Sequence, residues 1–253
     1  MVPSNRADAY LLCATPRSGS TLLCGLLRST GVAGRPESYF RLPDEQSWVS
    51  RWKLARNSAG RIVYRDFVQA AVAEGSTDNG VFGARVMRET MDELVANLRA
   101  VHPDVRGTDV KQLTRAFGRT RFLHLWRENA LAQAVSWARA EQTHVWHPGD
   151  PTPSLRHQPH FDYEQLHGFV QKINDDNAAW QAWFAASDVR PHRVRYEELV
   201  ADMAGVTRGV LGFLSLALAE DQTISPRDQR QADELNDEWI ARYRDMRQRR
   251  VMG

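Results

Sequence analysis

TPRSGSTLLCGLLRSTG, residues 15–31, follows directly on the short apolar run AYLLCA, residues 9–14. That run has the length and composition of a strand buried on both faces. From Ser20 onward Leu22, Leu23, Leu26 and Leu27 fall at helical spacing, and Gly31 closes the helix. The junction between strand and helix is a hydroxyl-rich turn holding one arginine: Arg17, Ser18, Gly19, Ser20 and Thr21. Two interpretations are open. Serine and threonine cap helices. The same helix start, with free N–H groups and the positive end of the dipole, also cradles an anion. Gly19 then lets the backbone approach a ligand, the hydroxyls add donors, and Arg17 adds a charge-assisted fork.

The pattern repeats along the chain. VFGARV (81–86), RFLHLWR (121–127) and PHRVRY (191–196) are further strand candidates. Helical spacing is expected around 45–57 and 62–74, over 87–100, 129–142 and 162–186, after Tyr196, and through GVLGFLSLAL (209–218). Strands alternating with helices predict an α/β fold with a mostly parallel sheet. No repeat or long linker divides the chain, so residues 1–253 are expected to form one domain with its core over about 9–243.

Composition narrows the function classes. With 42% hydrophobic residues the chain can bury a full core, and a net charge of +2 points to neither nucleic acid nor a membrane surface. Of 33 basic residues only Lys53, Lys111 and Lys172 are lysines; the rest are arginines, planar donors suited to phosphate or sulfate. Cys13 and Cys24 read as buried free thiols. No apolar stretch reaches the ~20 residues of a membrane span, and no signal-like segment opens the chain, so a cytoplasmic protein without stable membrane insertion is expected. The eight histidines are scattered, and no metal-ligand cluster is visible.

The opening turn does not match a nucleoside-triphosphate loop. That loop needs G-x-x-x-x-G-K-[ST], whereas Ala14 stands five before Gly19 and Ser20 stands where the lysine belongs. A small-molecule kinase is disfavoured on the same ground. Three later features add candidate sites. Arg127 ends a strand and Ser136 follows on the next helix; Tyr196 stands at another strand-to-helix junction; Arg230 and Gln231 precede a charged helix. Singly each has a plainer account, as an ion pair, a core ring or a cap.

In this order the pieces resemble a sulfotransferase that uses 3′-phosphoadenylyl sulfate (PAPS), and in detail the bacterial trehalose 2-sulfotransferase family. The matching stretches are RSGSTLL (17–23), STGVAGRPESYF (29–40), QAVSWARAEQTHVW (133–146) and RQADELNDEW (230–239), with VFGARVM (81–87) a looser match. The resemblance implies a P-loop-like nucleotide-binding core of the sulfotransferase type and no metal. It implies that Arg17, Ser18, Gly19, Ser20 and Thr21 hold the 5′-phosphosulfate. Arg127, Ser136 and Arg230 would hold the 3′-phosphate, with Tyr196 and Gln231 near the nucleotide. Arg17 would stabilise charge on the leaving group. The implied acceptor is a carbohydrate or glycolipid, met by Arg35, Glu37, Tyr39 and Phe40, and the implied assembly is a homodimer. The family places a glutamate in G-x-P-x-E-[YF]-F. Here Glu37 stands one position early and Ser38 occupies the glutamate's place. Glu37 is the expected base, a loop ion pair with Arg35 its alternative, and His124 the fallback. Trp48 and Trp52, four apart, are expected to pack in the core. The displaced glutamate leaves open a protein that binds the donor without turnover.

Overall fold

The computed structural model describes residues 6–146, 158–218, 224 and 234–252. Among them stands one four-stranded sheet, ordered β2-β1-β3-β4, from β1 (Ala9–Ala14), β2 (Phe82–Met87), β3 (Thr120–Trp126) and β4 (His192–Arg195). All three pairings are parallel, so every strand ends at the same edge. Parallel neighbours need crossovers, which the helices supply.

Side-chain alternation sorts each strand between two cores. Leu11 and Cys13 of β1, Ala84 and Val86 of β2, and Phe122 of β3 face one side. There they meet α3 (Tyr64–Gly75), α4 (Arg88–Val101), α5 (Asp109–Phe117) and the end of α7 (Tyr163–Ala186). Tyr10, Leu12, Leu123, Leu125 and Val194 face the other side. That core is covered by α1 (Ser20–Ser29), α8 (Tyr196–Ala201) and α9 (Met203–Leu214). All six residues of β1 are buried, as a strand covered on both faces requires. A satellite core joins α6 (Ala130–Thr143) and α7 to α10 (Glu234–Met252) through Val135, Leu166, Trp239 and Tyr243.

Two expectations change. The helix expected to run through residue 218 stops at Leu214, because Ser215 adopts a left-handed conformation and caps it. α5 is an addition to the expected helices: its Val110, Leu113 and Phe117 recur at helical spacing and pack against the first core. The remaining early helix, α2 (Leu42–Trp52), carries Pro43 in its first turn and ends on left-handed Lys53, ahead of the expected position 57.

Candidate active site

The loop after β1 is fixed before it turns. Buried Gln133 of α6 donates from Nε2 to Thr15 Oγ1 (2.8 Å) and to the Pro16 carbonyl (2.6 Å). Trp180 of α7 donates to the Ala14 carbonyl at 3.0 Å. Thus anchored, the chain passes through left-handed conformations at Arg17 (φ 60) and Gly19 (φ 96). For an arginine that geometry costs about 1–3 kcal/mol, which the surrounding contacts must offset.

The two α1 possibilities separate here. Asn129, Asp162 and Asp202 cap α6, α7 and α9 with side-chain hydrogen bonds to backbone N–H groups. α1 opens on Gly19 with no side-chain cap. Ser18, just before it, is fully buried, and its Oγ has no partner among the described residues. An orphaned buried hydroxyl beside uncapped N–H groups is what an anion would satisfy.

Cations converge on the same place. Arg17 donates from Nε to Ser136 Oγ (3.1 Å) and from Nη1 to the Trp146 carbonyl (2.7 Å), so the loop and α6 are bonded directly. Burial first, and then the charges of Arg127, Arg139 and Arg85, pull its pKa below the ordinary arginine value. It stays cationic at neutral pH all the same. Arg127, one residue past β3, lies with its guanidinium 4.5 Å from the Tyr196 ring centroid. The same ring closes on Gly19: a Cβ there would lie 2.4 Å from Tyr196 Cδ2. Glycine at 19 is therefore required twice, by its φ and by that ring. Glu197, next along, accepts from the Glu128 and Asn129 N–H groups (3.3 and 3.5 Å) and ties down the turn that carries Arg127.

On the β2 side the structure adds a residue that the sequence patterns did not single out. Arg85 is level with Leu12 in the sheet register and points to the α1 face. It donates from Nε to Ser38 Oγ (2.9 Å), and from Nη1 to Thr21 Oγ1 (2.9 Å) and Ser20 Oγ (3.5 Å). The available signal was its charge: it is the single ionisable residue of the strand FGARVM.

The loop after α1 departs from several expectations. Glu37 pairs with Arg28 at the end of α1, not with Arg35. Its carbonyl accepts from the Arg85 N–H at 2.9 Å, so the loop adds one bridge to the edge of β2. Arg35 turns toward the end of α3, donating to the Ser76 carbonyl at 2.6 Å, and lines an open hollow with Trp52 and Glu74. Tyr39 and Phe40, expected to face a sugar, are 1% and 4% exposed. They pack with Phe67, Phe82 and Phe117, and the Tyr39 hydroxyl is spent on the Arg35 carbonyl at 2.6 Å. Their rings are core, and Trp48 and Trp52 stack against the same cluster, as expected. His124, the fallback base, is buried on the opposite sheet face against Phe184. Desolvation, then the nearby Arg193 charge, pushes its pKa down to about 4. It has no path to the α1 cradle. Arg230 and Gln231 lie outside the described residues. Among those described, no group of histidine, cysteine and acidic side chains forms a metal site, and no helix is long and apolar enough to cross a membrane.

The assembled donors, cations and orphaned hydroxyl can hold a polyanion along the carboxyl edge of the sheet. Comparison with known proteins agrees with that chemistry. The chain is 32% identical to trehalose 2-sulfotransferase of Mycolicibacterium smegmatis, over 95% of this chain and 96% of that one. It is 30% identical to trehalose 2-sulfotransferase of Mycobacterium tuberculosis strain Erdman, with the same coverage. A sulfotransferase domain from the Synechococcus PCC 7002 olefin synthase aligns with 96% of both chains at 14% identity, but its TM-score of 0.39 is too low to carry weight. The Stf0 sulphotransferase model matches residues 9–246, a span that takes in the cradle and both its flanks, and the chain belongs to that family.

Proposed function

We propose that this protein transfers a sulfuryl group from PAPS to a hydroxyl of a carbohydrate acceptor. The supporting observation is Arg17, a cation bonded to Ser136 across the loop and α6, beside a Tyr196 ring that packs on both Gly19 and Arg127. The carbohydrate acceptor rests on the two trehalose-sulfating relatives. A homodimer is the assembly that the resemblance carries over, and the cytoplasm is the compartment expected from the sequence.

PAPS when bound supplies the activated sulfuryl group, its leaving group a phosphate. Residues of this chain would do the rest. The N–H groups at the start of α1, with Ser18, Ser20 and Thr21, hold the 5′-phosphosulfate. Arg127 and Ser136, with Arg230, hold the 3′-phosphate, and Gln231 lies near the nucleotide. Tyr196 keeps Arg127 in position. Arg17 offsets charge that grows on the leaving phosphate. Donors fixed in advance in a partly dry site act more strongly there than in water. Glu37 accepts the acceptor hydroxyl's proton, and its Arg28 partner orients the carboxylate. The test is mass-spectrometric detection of a sulfated disaccharide from PAPS and a sugar panel that includes trehalose. Sulfated product made by the wild type and lost in Arg17→Ala supports the proposal. Bisphosphate binding without product on any sugar favours the second reading, a donor-binding protein without turnover. One observation speaks for that reading: Ser38 is neutral and Glu37 is engaged by Arg28.

A further inference from the structure

The residues assigned to the donor stand at the ends of β1, β3 and β4. β2 is the edge strand on the other side of β1, and its flank is lined by the loop that carries Ser38. A donor spread from the α1 start toward β3 and β4 leaves the β2 flank for the acceptor. There the charge balance is unusual. Arg85 is half-buried, and its side-chain hydrogen bonds all go to neutral hydroxyls: Ser38, Thr21 and Ser20. It has no carboxylate within ion-pair distance among the described residues. The adjacent carboxylate, Glu37, is held by Arg28. Both Arg85 and Glu37 act on buried Cys24, so they border the same stretch of α1, yet the loop directs a hydroxyl rather than the carboxylate at the guanidinium. A partly desolvated guanidinium lacking a counter-charge gains more from an anionic ligand than from a neutral one.

We propose that Arg85, with Ser38 as its hydroxyl partner, is an acceptor-selecting site for a sugar that carries its own anionic group, such as a carboxylate or an existing sulfate ester. This rests on the sulfotransferase function proposed above. The guanidinium has N–H groups beyond those bonded to the three hydroxyls, and a planar anion matches them in pairs. Ser38 keeps the place small and uncharged. A glutamate at this position would satisfy Arg85 from within the protein and repel an acidic sugar.

The test uses matched disaccharides that differ in one group: a uronic acid against its neutral hexose, and a sulfated sugar against its unsulfated parent. PAPS is the donor, and the reading is kcat/KM for each. The wild type is expected to prefer at least one anionic member at least about tenfold, a difference of about 1.4 kcal/mol, and to lose much of that preference in high salt. Arg85→Gln should lower kcat/KM for the anionic member more than for the neutral one and so remove the preference; Arg85→Lys, which keeps the charge, should retain part of it. Ser38→Glu should reverse it. A neutral preference in both pairs overturns the proposal. So does an equal loss on both members in Arg85→Gln, which would assign Arg85 to the sulfuryl group of the donor instead. Titration of each variant with adenosine 3′,5′-bisphosphate separates these outcomes from misfolding. Bisphosphate binding with no product on any sugar defeats the transferase reading, and this proposal falls with it, whereas product with the wrong preference defeats this proposal alone.

Discussion

On the β3–β4 flank of α1, Arg127, Ser136 and Tyr196 are tied to the loop after β1 by direct side-chain contacts, through Arg17 and Gly19. On the β2 flank, Arg85 and Ser38 meet across hydroxyls, and the one carboxylate of the loop is drawn away to Arg28. The first flank is rigid, cationic and closed around glycine. The second holds one cation, one small hydroxyl and an ion pair whose partners are both about a third exposed. A shared donor and a varying acceptor would divide a site in this way. Rigid contacts suit a ligand that never changes, and a flank set by one or two side chains suits a ligand that does.

Breaking one flank should therefore leave the other intact. The largest separation is expected at Glu37. Glu37→Gln should lower kcat by about a hundredfold or more, the ordinary contribution of a general base, while affinity for adenosine 3′,5′-bisphosphate stays within twofold to threefold by calorimetry. A parallel loss of bisphosphate affinity would mean that the flanks are not independent.

Gly19→Ala should act in the opposite sense. The new Cβ meets the Tyr196 ring at 2.4 Å in a left-handed backbone, so the strain is about 1–3 kcal/mol. Thermal unfolding should then come several degrees lower, at roughly 2–4 °C per kcal/mol for a chain of this size. Bisphosphate binding should weaken in the same variant as the ring is displaced from Arg127.

The smallest effect is expected at His124, outside both flanks. Its folded-state pKa of about 4 lies below the ordinary 6.5 because burial disfavours the charged ring. The unfolded chain thus binds the proton more readily. Stability from this site is complete above about pH 6.5 and is lost as pH falls toward 4. His124→Phe should flatten that acid limb in denaturant melts and leave transfer at neutral pH unchanged. A change in the pH–rate profile near neutrality would return His124 to the chemistry.

Much of the placement on the β3–β4 flank could be read from the sequence because each part is local. A strand, a glycine turn and a helix start are consecutive residues, and an arginine just past a strand falls on the ligand edge of a parallel sheet. The β2 flank depends on which way a loop turns, which no spacing reveals. Glu37 finds Arg28 rather than Arg35 because Arg28 lies in the last turn of α1, against which the loop packs, while Arg35 is held by the end of α3. Tyr39 and Phe40 were expected at the ligand because aromatic side chains suit both a sugar and a core. The cluster around Phe67, Phe82 and Phe117 claims them. Arg85 had one signal, a charge inside an apolar strand, and no partner in the sequence to give it meaning.

The most direct test of the account is calorimetric titration of the wild type with adenosine 3′,5′-bisphosphate and with ATP, repeated on Arg17→Ala and Arg127→Ala. The account predicts tight bisphosphate binding, weak ATP binding, and a loss of bisphosphate affinity of at least about tenfold in each variant, since hydrogen bonds to charged groups are worth about 1.5–3 kcal/mol. No bisphosphate binding, or a preference for ATP that survives both substitutions, would contradict it, and the start of α1 would then be an ordinary helix terminus.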